Sequence, residues 1–67
     1  MTIIYNDQQL NLPSDNMTLQ DLAEWKGIPQ QGSAIAVNDK LIKRDQWSVL
    51  NLKELDRVTV ISAAYGG

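Results

Sequence analysis

Two residues at the end of the sequence could take part directly in chemistry, Gly66 and Gly67. A diglycine that ends a chain offers a free α-carboxylate on a backbone without side chains, so it can be threaded into a narrow active site and activated there. A terminal carboxylate, with a reference pKa of about 3.3 to 3.7, is ionised at neutral pH and is a poor electrophile. To react, it must first be chemically activated. On this reading Gly67 is the reacting residue and Gly66 supplies room and flexibility. The competing reading is a frayed end of the kind most small domains carry.

The rest of the composition narrows what else could react. The 67 residues make one domain, near the lower limit for folding without metal or disulfide help, and leave little room for a large buried cleft. Cysteine and histidine are both absent. That excludes disulfides, Cys/His zinc sites, thiolate-held iron-sulfur clusters and His- or Cys-based nucleophilic catalysis. With no phosphate loop and no convincing metal cluster, the chain is expected to bind no cofactor of its own. Six basic residues against eight acidic ones, a formal charge of −2, give no electrostatic case for nucleic acid. The start MTIIYNDQQL lacks the basic region and long apolar run of a secretory signal, and no stretch approaches membrane-spanning length. A cytoplasmic protein without membrane contact is expected. Asp39, Glu54 and Asp56 could in principle work as paired acids and bases, but without a closed pocket they read as turn or cap residues.

The elements that must position the terminus follow from local patterns. Thr2 to Asn6 is apolar and β-prone, Gln8 to Leu12 alternates, and Asn6-Asp7 between them tolerates a tight turn, which makes a β-hairpin. Pro13 to Asn16 is a loop. In MTLQDLAEWKG, Thr18 is placed to accept at the N-cap, Asp21 takes the third helical position, and Met17 and Leu22 are spaced for a hydrophobic staple. Leu19, Leu22 and Ala23 share one face, and Gly27 gives a left-handed stop, so the helix is predicted over Leu19 to Lys26. Ala34 to Asn38 reads as a buried strand, with Asn38-Asp39 turning it toward Leu41-Ile42. Lys43 to Ser48 reads as an irregular or single-turn segment. Arg57 to Ala63 carries the strongest β-propensity run. A helix this short is stable only with its apolar stripe buried on a sheet. The simplest arrangement is α+β of β-grasp type: a mixed sheet of four to five strands with one helix across one face and the first and last strands adjacent and parallel. Residues 1–63 then form the domain and 64–67 a flexible tail.

Ala34, Ala36, Val37 and Asn38, then Leu41, Ile42, Arg44 and Trp47, then Asp56, a Val/Ile strand and Gly66-Gly67, resemble the ThiS family of sulfur carriers over essentially the whole chain. The segment AIAVNDKLIKRDQW is the specific part, since ubiquitin and the small subunit of molybdopterin synthase also end in diglycine. Two residues depart from the pattern. Leu55 stands where many relatives have glycine before Asp56, and Tyr65 places a ring where small residues are common. The resemblance implies a β-grasp (ubiquitin-like) fold and a protein co-substrate rather than an enzyme. A ThiF-type adenylyltransferase, using its own ATP and Mg, would convert the Gly67 carboxylate to an acyl-adenylate. Sulfur from a cysteine-desulfurase route would replace AMP, and a ThiG-type thiazole synthase would take the sulfur from the Gly67 thiocarboxylate into the thiazole ring of thiamin.

Partner contacts are expected at Ile61, Ala63, Ala64 and Tyr65, beside the terminus, and at Arg44, which lies on the family pattern. Lys43 reads as a solvated charge or a local partner of Asp45. Trp47 is expected to pack over a sheet edge, and Trp25, at the flank of the helical stripe, to be half exposed. Three other readings use the same terminus or the same fold. A molybdopterin-type carrier or a ubiquitin-like modifier shares the activation step, and an inert β-grasp module would not react.

Overall fold

The computed structural model describes residues 1–29 and 31–62. Strand β1, Thr2–Tyr5, turns back into β2, Gln8–Asn11, through Asn6 and Asp7 at φ 49° and 68°. Two successive left-handed residues match the right-handed twist of paired strands, and Asn and Asp tolerate that conformation better than other residues with a Cβ. The same device, Asn38-Asp39 at φ 53° and 68°, joins β3, Ser33–Val37, to β4, Lys40–Ile42. After a single 3-10 turn at Arg44–Gln46 comes β5, Arg57–Ser62. The expected end of that strand, Ala63, lies outside the described residues.

The five strands lie in the order β2-β1-β5-β3-β4. β1 and β5 are parallel, and the other pairs are antiparallel. The last strand is therefore central, as the β-grasp expectation requires.

Helix α1, Leu19–Lys26, has the predicted ends. Thr18 Oγ1 accepts from the Asp21 amide at 3.1 Å, and Asp21 Oδ2 accepts from the Thr18 amide at 3.0 Å, a reciprocal capping box. The other two free amides of the first turn are taken up by a distant segment: Leu19 donates to the Leu50 carbonyl at 2.9 Å and Gln20 to the Trp47 carbonyl at 3.0 Å. All four of these N–H groups, from Thr18 to Asp21, are thus satisfied. At the other end Gly27 sits at φ 70°, and Ile28 donates to the Ala23 carbonyl at 2.8 Å, closing the helix with a left-handed cap.

The core lies between helix and sheet. Leu19, Leu22 and Ala23 from α1 pack with Ile3, Ile35, Val37 and Val58 from the sheet and with Leu12, Met17, Trp47 and Leu52 from the connections. Both staple residues, Met17 and Leu22, are in this cluster. Trp47 packs more deeply than an edge cover would. It is 1% exposed, and its indole Nε1 donates to the Ile42 carbonyl of β4 at 3.1 Å. Trp25 is 47% exposed, as its flanking position predicts, with the Lys26 ammonium 5.9 Å from its ring and 5.2 Å from that of Tyr5. Among the described residues no helix is long and apolar enough to cross a membrane.

Candidate functional site

The site is built on β5, because that strand leads toward the diglycine. It is held along both edges, by β1 at Ile4↔Arg57 and Tyr5↔Val58 and by β3 from Val37↔Val58 to Ser33↔Ser62. The two hairpin asparagines add to this grip. Asn6 donates its amide to the Val58 carbonyl at 2.9 Å, and its Oδ1 accepts from the Val60 amide at 2.8 Å. Asn38 donates its amide to the Arg57 carbonyl at 2.7 Å, and its Oδ1 accepts from the Arg57 amide at 3.0 Å. Each asparagine therefore turns its own hairpin and clamps the central strand.

The turn that feeds β5 explains the first departure from the family pattern. Leu55 has φ 67°, the left-handed region that glycine enters without steric cost. The leucine thus adopts the turn that glycine would make there. Asp56 fixes the turn from both sides: Oδ2 accepts from the Lys53 amide at 2.8 Å and Oδ1 from Asn38 Nδ2 at 3.0 Å. Glu54 Oε1 accepts from the Thr2 amide at 3.1 Å, and Asp39 lies in the β3–β4 turn with its Oδ1 3.7 Å from Arg57 Nη2. Asp56 holds its turn and Asp39 lies in one, as their sequence positions suggest, whereas Glu54 ties the segment before β5 to the start of β1.

Alternation along β5 sends Val58 and Val60 to the core and Arg57, Thr59 and Ile61 to the face away from the helix. On that open face Ile61, 57% exposed, stands opposite Ala34, and Thr59 stands opposite Ala36. Ala36 is also paired with Leu41, which is 67% exposed. Two small, half-buried alanines between two uncovered aliphatic side chains make an apolar area with a low centre. An exposed apolar surface of this kind marks a contact site better than a reaction site.

Of the residues singled out in the sequence, Ile61 is on this open face, while Ala63, Ala64, Tyr65, Gly66 and Gly67 lie outside the described residues. Arg44 is not brought to Ile61. It begins the 3-10 turn after β4, with β3 between β4 and β5, and its guanidinium carbon is 5.6 Å from the Trp47 ring centroid. Ala34, Ala36 and Leu41 entered the sequence reading as a pattern match. Their alternation with the buried Ile35 and Val37 and the partly buried Ile42 is the signal that places them on the open face. The groups with shifted titration lie off this face: burial raises Tyr5, and the hydrogen bond between the Met1 ammonium and Asp15 raises the amine and lowers the carboxyl. Among the described residues no group of three or more His, Cys, Asp or Glu could hold a metal ion.

The model of the ThiS family matches residues 3–67, which takes in the open face, β5 and the diglycine. The chain belongs to the ThiS family. The members of that family are small sulfur carriers of thiamine biosynthesis that work with partner enzymes and are not themselves catalysts. The sulfur carrier protein ThiS of Escherichia coli (strain K12) is 28% identical over 67 residues, a span that covers the whole of both chains. The fold is shared with two solved structures from Geobacter metallireducens. The crystal structure of its thiamine biosynthesis protein (ThiS) superposes with a TM-score of 0.85 at 16% identity, with both chains covered completely. The solution structure of a thiamine biosynthesis protein from the same organism gives 0.85 at 14% identity, covering all of this chain and 88% of that one.

Proposed function

We propose that the chain is a cytoplasmic sulfur carrier whose Gly67 carboxylate is the reacting group. A ThiF-type enzyme, supplying ATP and Mg, joins the carboxylate to AMP with release of pyrophosphate. Sulfur from a cysteine-desulfurase route, reduced by a thiol to the sulfide level, displaces AMP, and the resulting thiocarboxylate is offered to a ThiG-type thiazole synthase. The observation that carries this reading is the family match running through Gly67. The chemistry needs nothing further from the chain than a reachable carboxylate and a body that docks. The clamped β5 and the apolar area around Ile61, Ala34 and Ala36 support the second requirement.

One terminus can enter one active site at a time, so the adenylating enzyme and the thiazole synthase should compete for the same copy. The test is an intact-mass measurement after incubation with an adenylating enzyme, ATP and a sulfur donor. A gain equal to the difference between sulfur and oxygen, located at Gly67, is the expected result. Higher-mass isopeptide conjugates would instead make the chain a protein modifier, and no adduct at all would make it an inert module.

A further inference from the structure

Beyond the open face, the outer edge of the sheet carries a feature that sulfur transfer at Gly67 does not use. β4 is an edge strand. Beside it runs a groove of about 390 Å³ lined by Leu41, Ile42, Val49 and Leu50 together with Lys40, Lys43 and Gln46. A second stretch of about 280 Å³ shares Lys40, Ile42 and Leu50 and adds Lys53. Leu41 and Val49 are left 67% and 65% exposed.

The charge is concentrated here against the balance of the whole chain. Three of the six basic residues border the groove, although the net charge is −2. Among the described residues none of these three ammonium groups is in an ion pair. Among the described lining residues the acid is Asp56, whose oxygens accept from the neutral Asn38 Nδ2 and Lys53 amide, so three lysines stand along the groove against one carboxylate.

Lysines on a short edge strand are a common protection against unwanted pairing. That role needs charge alone, and it does not account for the aliphatic side chains left uncovered between the lysines. A second copy of the chain is a poor occupant, because pairing β4 with itself would bring lysines against lysines. We propose that this groove binds an extended acidic segment of a partner protein, laid along β4 with aliphatic side chains in the trough and carboxylates against Lys40, Lys43 and Lys53. Leu41 borders both the groove and the open face, so the two contacts adjoin. Ile61 does not line the groove, and the inference stands apart from the carrier chemistry.

The probe is an acetylated, amidated hexapeptide of alternating glutamate and leucine, titrated into the isotopically labelled full chain, with a lysine-leucine peptide as control. Shifts should centre on Leu41, Ile42, Val49 and Leu50 and saturate with a Kd of about 1 mM or tighter. The Lys40→Glu/Lys43→Glu double variant, shown by its melting curve to fold, should bind about tenfold more weakly, with Lys53→Glu as the fallback should it not fold. The proposal is overturned by shifts centred on Ile61 and Ala34, by equal binding of the two peptides, or by unchanged affinity in the folded variants. It is equally overturned by no shift at about 5 mM peptide, a range in which even a weak contact registers.

Discussion

Leu55 is the residue at which this chain adds a local steric cost. A left-handed backbone costs a residue with a Cβ about 1 to 2 kcal/mol, whereas glycine adopts it freely. Leu55 is exposed, so truncating it gives up little burial. Glycine does add freedom to the unfolded chain, worth roughly 0.5 to 1 kcal/mol in the other direction. Leu55→Gly should therefore be neutral to stabilising by up to about 1 kcal/mol, which in a domain this small raises the melting temperature by roughly 4 to 8 °C per kcal/mol. A clear fall in melting temperature would show that the leucine side chain contributes more than its strain costs. Asn6 separates two roles in the same way. Glycine suits its φ of 49° but cannot accept from the Val60 amide. Asn6→Gly should lose about 0.5 to 1.5 kcal/mol by denaturant titration if the clamp contributes. An unchanged midpoint would assign Asn6 to the turn alone.

Among the elements, the helix carries the packing. Leu22 is fully buried in the middle of its apolar face. Leu22→Ala should cost about 2 to 5 kcal/mol, as large-to-small core changes do. Total stability is of the order of 0.05 to 0.15 kcal/mol per residue, so that loss is a large share of the whole, and thermal denaturation would show it as a clear fall in melting temperature. The helix was legible in the sequence to the residue because its signals are local: the capping pair Thr18 and Asp21 is three residues apart, and Gly27 follows the last turn directly. The hairpin turns were legible for the same reason. What the sequence could not show were the clamps on β5, because Asn6 reaches Val60 across 54 residues and Asn38 reaches Arg57 across 19. An asparagine suited to a turn carries no mark of a second, distant partner. The depth of Trp47 was hidden likewise. Its sequence neighbours are polar, and the helix amide and edge-strand carbonyl that bind its backbone and indole come from other elements. Of the candidate site, Ile61 was legible from its place beside the tail, whereas the open face as a whole needed the strand order that sets Ala34, Ala36 and Leu41 beside it.

At the scale of the whole molecule, folding and reactivity should separate. The sheet, helix and core are built by residues among 1–29 and 31–62, and the proposed chemistry falls on Gly67. Ile61→Asp places a charge on the open face without touching the core, so melting should stay within about 0.5 kcal/mol of the parent. Its rate of adenylation at sub-saturating concentration should nevertheless fall, since a charge would be buried against the partner. Equal rates for Ile61→Asp and the parent would move the docking surface elsewhere. The central claim, that the Gly67 carboxylate is the group activated, is tested most directly by ATP-dependent pyrophosphate exchange on a chain lacking Gly67. Deletion moves the terminal carboxylate back by one residue, up to about 3.6 Å, and misplacement of a reacting group by even 1 Å can cost roughly 100-fold in rate. Exchange should therefore collapse to background while the deleted chain melts like the parent; exchange at the parental rate would show that the terminus is not the reacting group.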